Sequence, residues 1–400
     1  MSQTTSGSSQ EDAPIKYVCG IDVGSQSCAG CVCRPDKSVV VKPVTFANAK
    51  EGWDVLFEKL TRLDAVPKQI LIGMEATSRY GENLYQEAQE RGYQLCLLHP
   101  GQTHQFHRQQ GLRAKTDRLD AMTIAKVLLS GEARAGYVPS EQITTYRELV
   151  RLHTRLSDEA ASYQNEIQIL VVVLFPEFTR VFADPCLPSA LAVLKAYPSA
   201  QDVAAAGVEP ITHLLRTQTS GHFGRPTARK LVELAQSSVS SNRALSGRST
   251  SLRILCDQLE HAQANLARLR AELEQLMAHD PGVKGLEQIP EFGPKTVAVL
   301  RAELGDMNRF SRTDQVIAYG GMDIEIKESG QWKGKAKLSK HGSGLVRRVL
   351  ALFGAPKYSL GGVCFWRLLP SFGAAGPQER ISLDGSDAQN ASGSCPRAQT

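Results

Sequence analysis

The chain contains 400 residues, of which 42% are hydrophobic and 22% charged, and its 46 basic against 41 acidic residues give a net charge of +5. This ordinary globular mixture excludes a wholly disordered or collagen-like protein and predicts two or three domains. The longest apolar stretch is far shorter than the ~20 residues of a membrane-spanning helix, and the polar first fourteen residues carry no secretory signal, so we expect a cytoplasmic protein with no membrane partner.

The first folded part of the chain is predicted to be an α/β domain over residues 16–135, after a disordered tail at residues 1–15. Three strands are followed by helix, strand, helix and strand. This is the element order of a ribonuclease-H-type fold. The second strand contains Cys28, Cys31 and Cys33, which have no partner pair at zinc-finger spacing, so packing is favoured over zinc binding.

Residues 136–282 are predicted to form a long helical linker with a coiled coil. Apolar residues recur at helical spacing over residues 142–175, which predicts one long helix. From Leu252 to Leu276 they alternate three and four apart, which is a heptad seam. The seam can join two chains, or it can pack inside a single helical hairpin, and the sequence leaves both interpretations open.

Four carboxylates in the α/β domain form a candidate metal site. Asp22 lies on the first strand and Glu75 ends the fourth, while Asp117 and Asp120 share one face at the start of a helix. Like charges packed closely repel one another, and hard divalent cations relieve that repulsion best. Taken singly, Asp117 and Asp120 also fit a helix start that favours acidic residues.

Residues 283–357 are predicted to form a small, mainly helical domain with a strong basic bias, followed by an irregular tail at residues 358–400. A helix, a glycine-containing turn and a second helix over residues 285–300 are suited to binding a phosphate. Basic side chains concentrate after Lys327, which favours a nucleic-acid backbone over a merely solvated surface. The predicted nucleic-acid contacts, two of which precede the helix at Asp117, are Arg113, Lys115, Lys295, Lys333, Lys335, Lys337, Lys340, Arg347 and Arg348.

Several motifs resemble one family, the DEDD transposases of bacterial insertion sequences and the related Piv-type DNA invertases. They are Gly20-Ile-Asp-Val-Gly24, Met74-Glu-Ala-Thr77 and Lys115-Thr-Asp-Arg-Leu-Asp-Ala121 near the start, and Tyr319-Gly-Gly and Glu328-Ser-Gly330 near the end. The amino-terminal domain of this family is similar to the Holliday-junction nuclease RuvC. The resemblance implies Mg²⁺, of a two-metal type, held by the four acids at Asp22, Glu75, Asp117 and Asp120.

The resemblance also implies a mechanism and partners. It implies cleavage and rejoining of donor and target DNA through a phosphoserine at Ser329. Without the resemblance, the sequence does not distinguish Ser329 from Ser339 and Ser343 as the nucleophile. It further implies a structured bridge-type guide RNA, a homo-oligomer from dimer to tetramer, and a nucleoid-associated location in a bacterium. Met322 and Ile324 depart from the family pattern, as does the irregular tail.

Three other functions remain open from the sequence. The first is a RuvC-like, Mg²⁺-dependent DNA nuclease that acts on DNA structure without a covalent intermediate. The second is a degenerate, non-catalytic protein that still binds nucleic acid. The third is an actin-like sugar kinase, because Gly20-Ile-Asp-Val-Gly-Ser-Gln-Ser27 resembles the first phosphate loop of those enzymes, although no second glycine-rich loop is evident.

Overall fold

A computed structural model describes residues 14–76, 79–110, 116–131, 133, 136–218, 223–289, 292–325, 328–329, 332–333 and 337–351. The chain divides into two compact units after Val138. The domain boundaries at residues 135, 282 and 357 stay predictions. Within the described residues, no helix is both long enough and apolar enough to cross a membrane.

The first unit is built on a five-stranded sheet with the order β3-β2-β1-β4-β5. Strands β1, β2 and β3 form an antiparallel meander, and β4 and β5 run parallel to β1. This arrangement confirms the predicted α/β fold class, with the strand order of the ribonuclease-H type. The strands are β1 (Tyr17–Val23), β2 (Ser27–Cys33), β3 (Val39–Ala47), β4 (Ile70–Glu75) and β5 (Gln94–Leu98), and the helices are α1 (Lys50–Thr61), α2 (Glu82–Glu90), α3 (Pro100–Gln109) and α4 (Asp117–Leu129).

Helices cover both faces of this sheet, because successive residues of a strand point to opposite sides. On one face, Ile21 and Ile72 pack with residues of α1 and α2. On the other face, Val18 packs against Ala121 and Ala125 of α4. The alternation therefore decides that Asp22 and Glu75, which follow Ile21 and Met74, belong to the face that α4 covers.

The three cysteines of β2 are packing residues, as predicted. Cys28 lies in the core on the α1 and α2 face, whereas Cys31 and Cys33 lie in the core under α4. Residues on opposite faces of a strand cannot converge on one ion. Burial raises the pKa of the Cys31 thiol to about 12, and all three thiols are buried and free of disulfides.

The second unit is organised around two 34-residue helices, α5 (Glu141–Leu174) and α10 (Leu245–Ala278). They form an antiparallel pair: Leu252 shares a core with the carboxy-terminal half of α5, and Leu273 and Met277 share one with its first turns. Leu252, Leu259 and Leu273 of the heptad seam are buried against α5, which favours the helical-hairpin interpretation. That the seam also joins subunits stays a prediction. Short helices pack around this pair at Pro188–Ala196, Ala200–Ala206, Val208–Gln218 and Arg225–Gln236, numbered α6 to α9.

The carboxy-terminal helices pack on the end of the long pair where α5 begins and α10 ends. Val297 and Leu300 share a core with Val150 of α5 and Leu273 of α10. A bidentate ion pair between Asp280 and Arg301 fixes the start of this segment, with Nε–Oδ2 and Nη2–Oδ1 distances of 2.7 and 3.1 Å. The helices are α11 (Lys284–Glu287), α12 (Pro294–Leu304), α13 (Thr313–Tyr319) and α14 (Gly344–Ala351), and two-residue strands pair Ile324–Glu325 with Lys337–Leu338 and Glu328–Ser329 with Trp332–Lys333.

Candidate functional site

A pair of glycines allows helix α4 to lie directly on the sheet. Gly20 of β1 and Gly73 of β4 are adjacent in the parallel register. A Cβ on Gly20 would come within 2.2 Å of the carbonyl oxygen of Ala121, and one on Gly73 within 2.3 Å of Leu128 Cδ1. No larger residue at Gly20 leaves room for α4 at this distance. The close approach brings the first turn of α4 to the strand ends that carry Asp22 and Glu75.

Three of the four predicted acids line one cavity. Asp22 of β1, Glu75 of β4 and Asp120 of α4 line a cavity of about 510 Å³. All three side chains are partly buried. The Thr103 hydroxyl shares its one proton between Glu75 Oε2 at 3.1 Å and the carbonyl oxygen of Pro100, in its own helix, at 2.9 Å.

Asp117, the fourth acid, does not line this cavity. It is the exposed first residue of α4, where Thr116 is the N-cap and accepts a hydrogen bond from the Leu119 amide at 3.4 Å. One helical turn separates it from Asp120, so both acids lie on the same side of the helix. Its position matches the helix-start interpretation, and its place among metal ligands stays a prediction.

Helix α3 contributes residues to the cavity that sequence reasoning did not assign. Thr103 and His107 both line it. The sequence could have indicated that α3 lies near the acids, because α3 begins directly after β5, at the same edge of the sheet where β1 and β4 end. His99 caps this helix by accepting a hydrogen bond from the Gly101 amide at 3.0 Å.

The acids fit a hard divalent cation by donor chemistry. Carboxylate and hydroxyl oxygens are the ligands that Mg²⁺ prefers. In the described parts of the chain, however, no three His, Cys, Asp or Glu side chains stand together closely enough to hold an ion as they are oriented.

The basic residues predicted to contact nucleic acid differ in how accessible they are. Lys337 is exposed in a short strand, and Lys340 is exposed with a positive φ of 57°. Lys295 lies in the first turn of α12. Lys333 pairs through its backbone with Glu328, and Arg113, Lys115 and Lys335 lie outside the described residues.

Two predicted arginines have partners inside the chain. Arg347 Nη1 donates to the carbonyl oxygens of Gly320 and Gly342 at 3.2 and 2.8 Å. Arg348 forms an ion pair with Asp158 of α5, in which its Nη1 lies 2.8 Å from Oδ2. Arg347 therefore braces a glycine-rich loop, and the charge of Arg348 is already balanced.

The three candidate serines lie in different settings. Ser329 is in a two-residue strand whose backbone pairs with Trp332. Ser339 donates from its hydroxyl to the carboxylate of Asp323. Ser343 accepts a hydrogen bond from the Val346 amide at 3.4 Å and so caps α14. Ser339 and Ser343 thus each have a hydrogen-bond partner inside the chain.

Comparisons with known proteins point to one family. A family model for DEDD transposases of the IS110 type matches residues 19–176, and a model described as the transposase IS116/IS110/IS902 family matches residues 283–356. The chain is 28% identical over 92 residues to y4qE of Sinorhizobium fredii, a transposase by name; the match covers 23% of either protein. The solved T. thermophilus RuvC in complex with a Holliday-junction substrate matches 30% of this chain and 99% of its own, at 15% identity and a TM-score of 0.24.

Proposed function

The chain belongs to the IS110-type DEDD transposases, and from that premise we propose that it moves a bacterial insertion sequence by cleaving and rejoining DNA strands. The observation that carries this proposal is the convergence of Asp22, Glu75 and Asp120 on one cavity. Carboxylates brought together from distant parts of a chain repel one another. Such an arrangement is typical of a site for phosphoryl transfer and not of a packing feature.

The proposed ligands of Mg²⁺ are Asp22, Glu75 and Asp120, with Asp117 one turn earlier on α4, in a site of the two-metal type. When bound, divalent cations stabilise the charge that develops on the phosphodiester oxygens. The chain itself positions the acids: Gly20 admits α4, and the Thr103 hydroxyl orients Glu75.

Ser329 is the proposed nucleophile. Its Oγ forms a bond to the scissile phosphorus as the bond from phosphorus to the leaving sugar oxygen breaks, its proton passes to solvent, and the sugar oxygen takes up a proton. Rejoining reverses this exchange with a new DNA end, so no energy source is required. The choice of Ser329 over Ser339 and Ser343 rests on the family motif Glu328-Ser-Gly330.

The test of Ser329 is a search for the covalent protein–DNA adduct on a denaturing gel, using DNA that carries the ends of the element. We expect Ser329→Ala to abolish the adduct without reducing DNA binding. Ser339→Ala and Ser343→Ala are the matched controls, and both should still form it. Adduct formation by Ser329→Ala, or its loss only in a control, refutes the assignment. DNA ends that carry free phosphate and no protein indicate instead a nuclease that uses water.

Sequence selection by a structured bridge-type guide RNA is a further part of the proposal. The exposed charges of Lys337 and Lys340 suit a nucleic-acid backbone, which gives affinity without reading bases. A dimer or tetramer, in which the acids of one subunit act with Ser329 of another, is proposed with it, as is a nucleoid-associated location. If the purified chain exchanges DNA strands after all co-purified RNA has been removed, the proposed guide RNA is contradicted. If a monomer has full activity, the proposed dimer or tetramer is contradicted.

A further inference from the structure

A second cavity lies among the long helices and α12, within the second unit. Its volume is about 400 Å³, inside the ~300–1,000 Å³ range of small-molecule sites. Most of its wall is apolar, because Leu266 and Leu273 of α10 and Val150 of α5 face it together with Val299 of α12. An apolar wall of this size accommodates a flat ring system.

Two cationic side chains and one histidine lie at this same cavity. Arg270 of α10, Lys295 of α12 and His153 of α5 all line it. Burial lowers the pKa of Lys295, and the positive charges of Arg348 and Arg270 lower it further, while Asp158 raises it. The pKa of His153 is lowered by burial and then by Lys295 and Arg270.

Arg270 and Lys295 lie on different helices, and their positive charges repel. Glu274 is the one acidic side chain among the residues that line the cavity, and Asp158 is paired with Arg348. The amino-terminal end of α12 adds the positive end of a helix dipole. Apart from its chain neighbours, no described atom lies within 4 Å of the position of a Cβ on Gly293. An anion would relieve this excess of positive charge.

We propose that this cavity binds one nucleotide unit of a nucleic-acid strand, with its base against the apolar wall and its phosphate beside Arg270 and Lys295. The choice of a nucleotide over another anion with an apolar body rests on the proposed function. Thr154 and Ser157 line the cavity as well. Their hydroxyls donate to the carbonyl oxygens of Val150 and His153 at 2.9 and 2.8 Å, so each offers a base edge an acceptor oxygen. His153, only 7% exposed, forms part of the cavity floor and contacts the Ser157 hydroxyl through Nδ1 at 3.4 Å.

The test is fluorescence anisotropy of the full chain with a labelled single-stranded hexathymidylate, and with the same backbone carrying abasic sugars, in EDTA so that no cleavage occurs. We expect the abasic strand to bind about tenfold more weakly, as loss of one stacked base predicts. Arg270→Gln should weaken hexathymidylate binding about tenfold and reduce the slope of log K against log salt by about 0.7, the value for one phosphate of a single strand.

Arg268→Gln is the matched control, because Arg268 is exposed two residues away on α10 and does not line the cavity. It should change neither the affinity nor the salt slope. Ser157→Phe should fill the cavity and remove the preference for thymidylate over the abasic strand. Equal effects of Arg270→Gln and Arg268→Gln, no preference for bases, or displacement of the strand by myristate but not by thymidylate overturns the proposal.

A separate cleavage assay with Mg²⁺ distinguishes this proposal from the proposed function. If the wild-type chain cleaves DNA but Arg270→Gln binds hexathymidylate as the wild type does, only the nucleotide cavity is refuted. If strand binding depends on Arg270 but no DNA cleavage occurs with Mg²⁺, only the transposase chemistry fails.

Discussion

The contact between Gly20 and α4 leads to a sharp prediction for Gly20→Ala. The added Cβ would lie 2.2 Å from the carbonyl oxygen of Ala121 and 2.5 Å from the amide nitrogen of Ala125. Ordinary van der Waals contact begins at 3.4 Å, so relief of the first overlap alone requires a shift of about 1.2 Å (3.4 − 2.2). Both atoms belong to the helix backbone, which cannot turn away as a side chain can.

The shift must carry Asp120 with it, since Asp120 directly precedes Ala121. A displacement of about 1 Å at a reacting centre costs on the order of 10²-fold in rate. Overpacking of this kind costs about 1–3 kcal/mol of folding stability. We therefore expect Gly20→Ala to fold, with a lower midpoint of thermal unfolding, and to cleave DNA about a hundredfold more slowly with Mg²⁺.

The assay is the single-turnover rate of DNA cleavage, with thermal unfolding measured on the same samples. Gly30→Ala is the control on the neighbouring strand, because its Cβ would meet two side-chain atoms, Phe46 Cε1 at 3.2 Å and Leu56 Cδ1 at 3.4 Å, and a backbone atom, the carbonyl oxygen of Gly20, only at 3.9 Å. Its cleavage rate should stay close to that of the wild type. A cleavage rate for Gly20→Ala within about threefold of the wild type would refute the view that this contact positions Asp120.

Three further predictions concern single side chains. Thr103→Val removes the hydroxyl beside Glu75, so the cleavage rate should fall about tenfold, as loss of a hydrogen bond to a charged group predicts. Thr123→Val is the control at another cavity residue, and it should have a smaller effect because the Thr123 hydroxyl donates only to the carbonyl oxygen of Leu119 in its own helix. Asp280→Ala leaves the Arg301 guanidinium, whose side chain is 12% exposed, without its ion pair; urea unfolding should show a loss of about 3–5 kcal/mol, and a loss below 1 kcal/mol contradicts the role of the pair. The pKa of His153 is lowered from 6.5 in the folded chain, so the unfolded chain binds the proton first as the pH falls, and stability should decrease below about pH 6.5; His153→Gln should flatten that decrease.

The sequence by itself determined the local structure of the first unit. Apolar runs bounded by turn residues predicted the strands, and the three-stranded meander followed by alternating helices and strands appeared in the expected order. The sequence also predicted Asp22 on the first strand and Glu75 at the end of the fourth, and these two strands are adjacent in the sheet. The spacing of Asp117 and Asp120 predicted the start of α4, which begins at Asp117.

Tertiary structure alone decided which partners these elements meet. The heptad seam is the same pattern whether it faces another chain or α5, and only packing showed that it faces α5. Likewise, the sequence predicted Arg347 and Arg348 as nucleic-acid contacts and could not show their partners inside the chain. Arg347 donates to a carbonyl oxygen, and Arg348 forms an ion pair with Asp158.

The cavities required the complete fold for the same physical reason. Thr103 joins the acids, and His153 meets Arg270 and Lys295, because helices distant in sequence pack side by side. Periodicity reports which face of an element is apolar, whereas burial depends on the partner that covers that face. The sequence thus determines which face of each element is apolar, and the packing of the chain determines which other element covers that face.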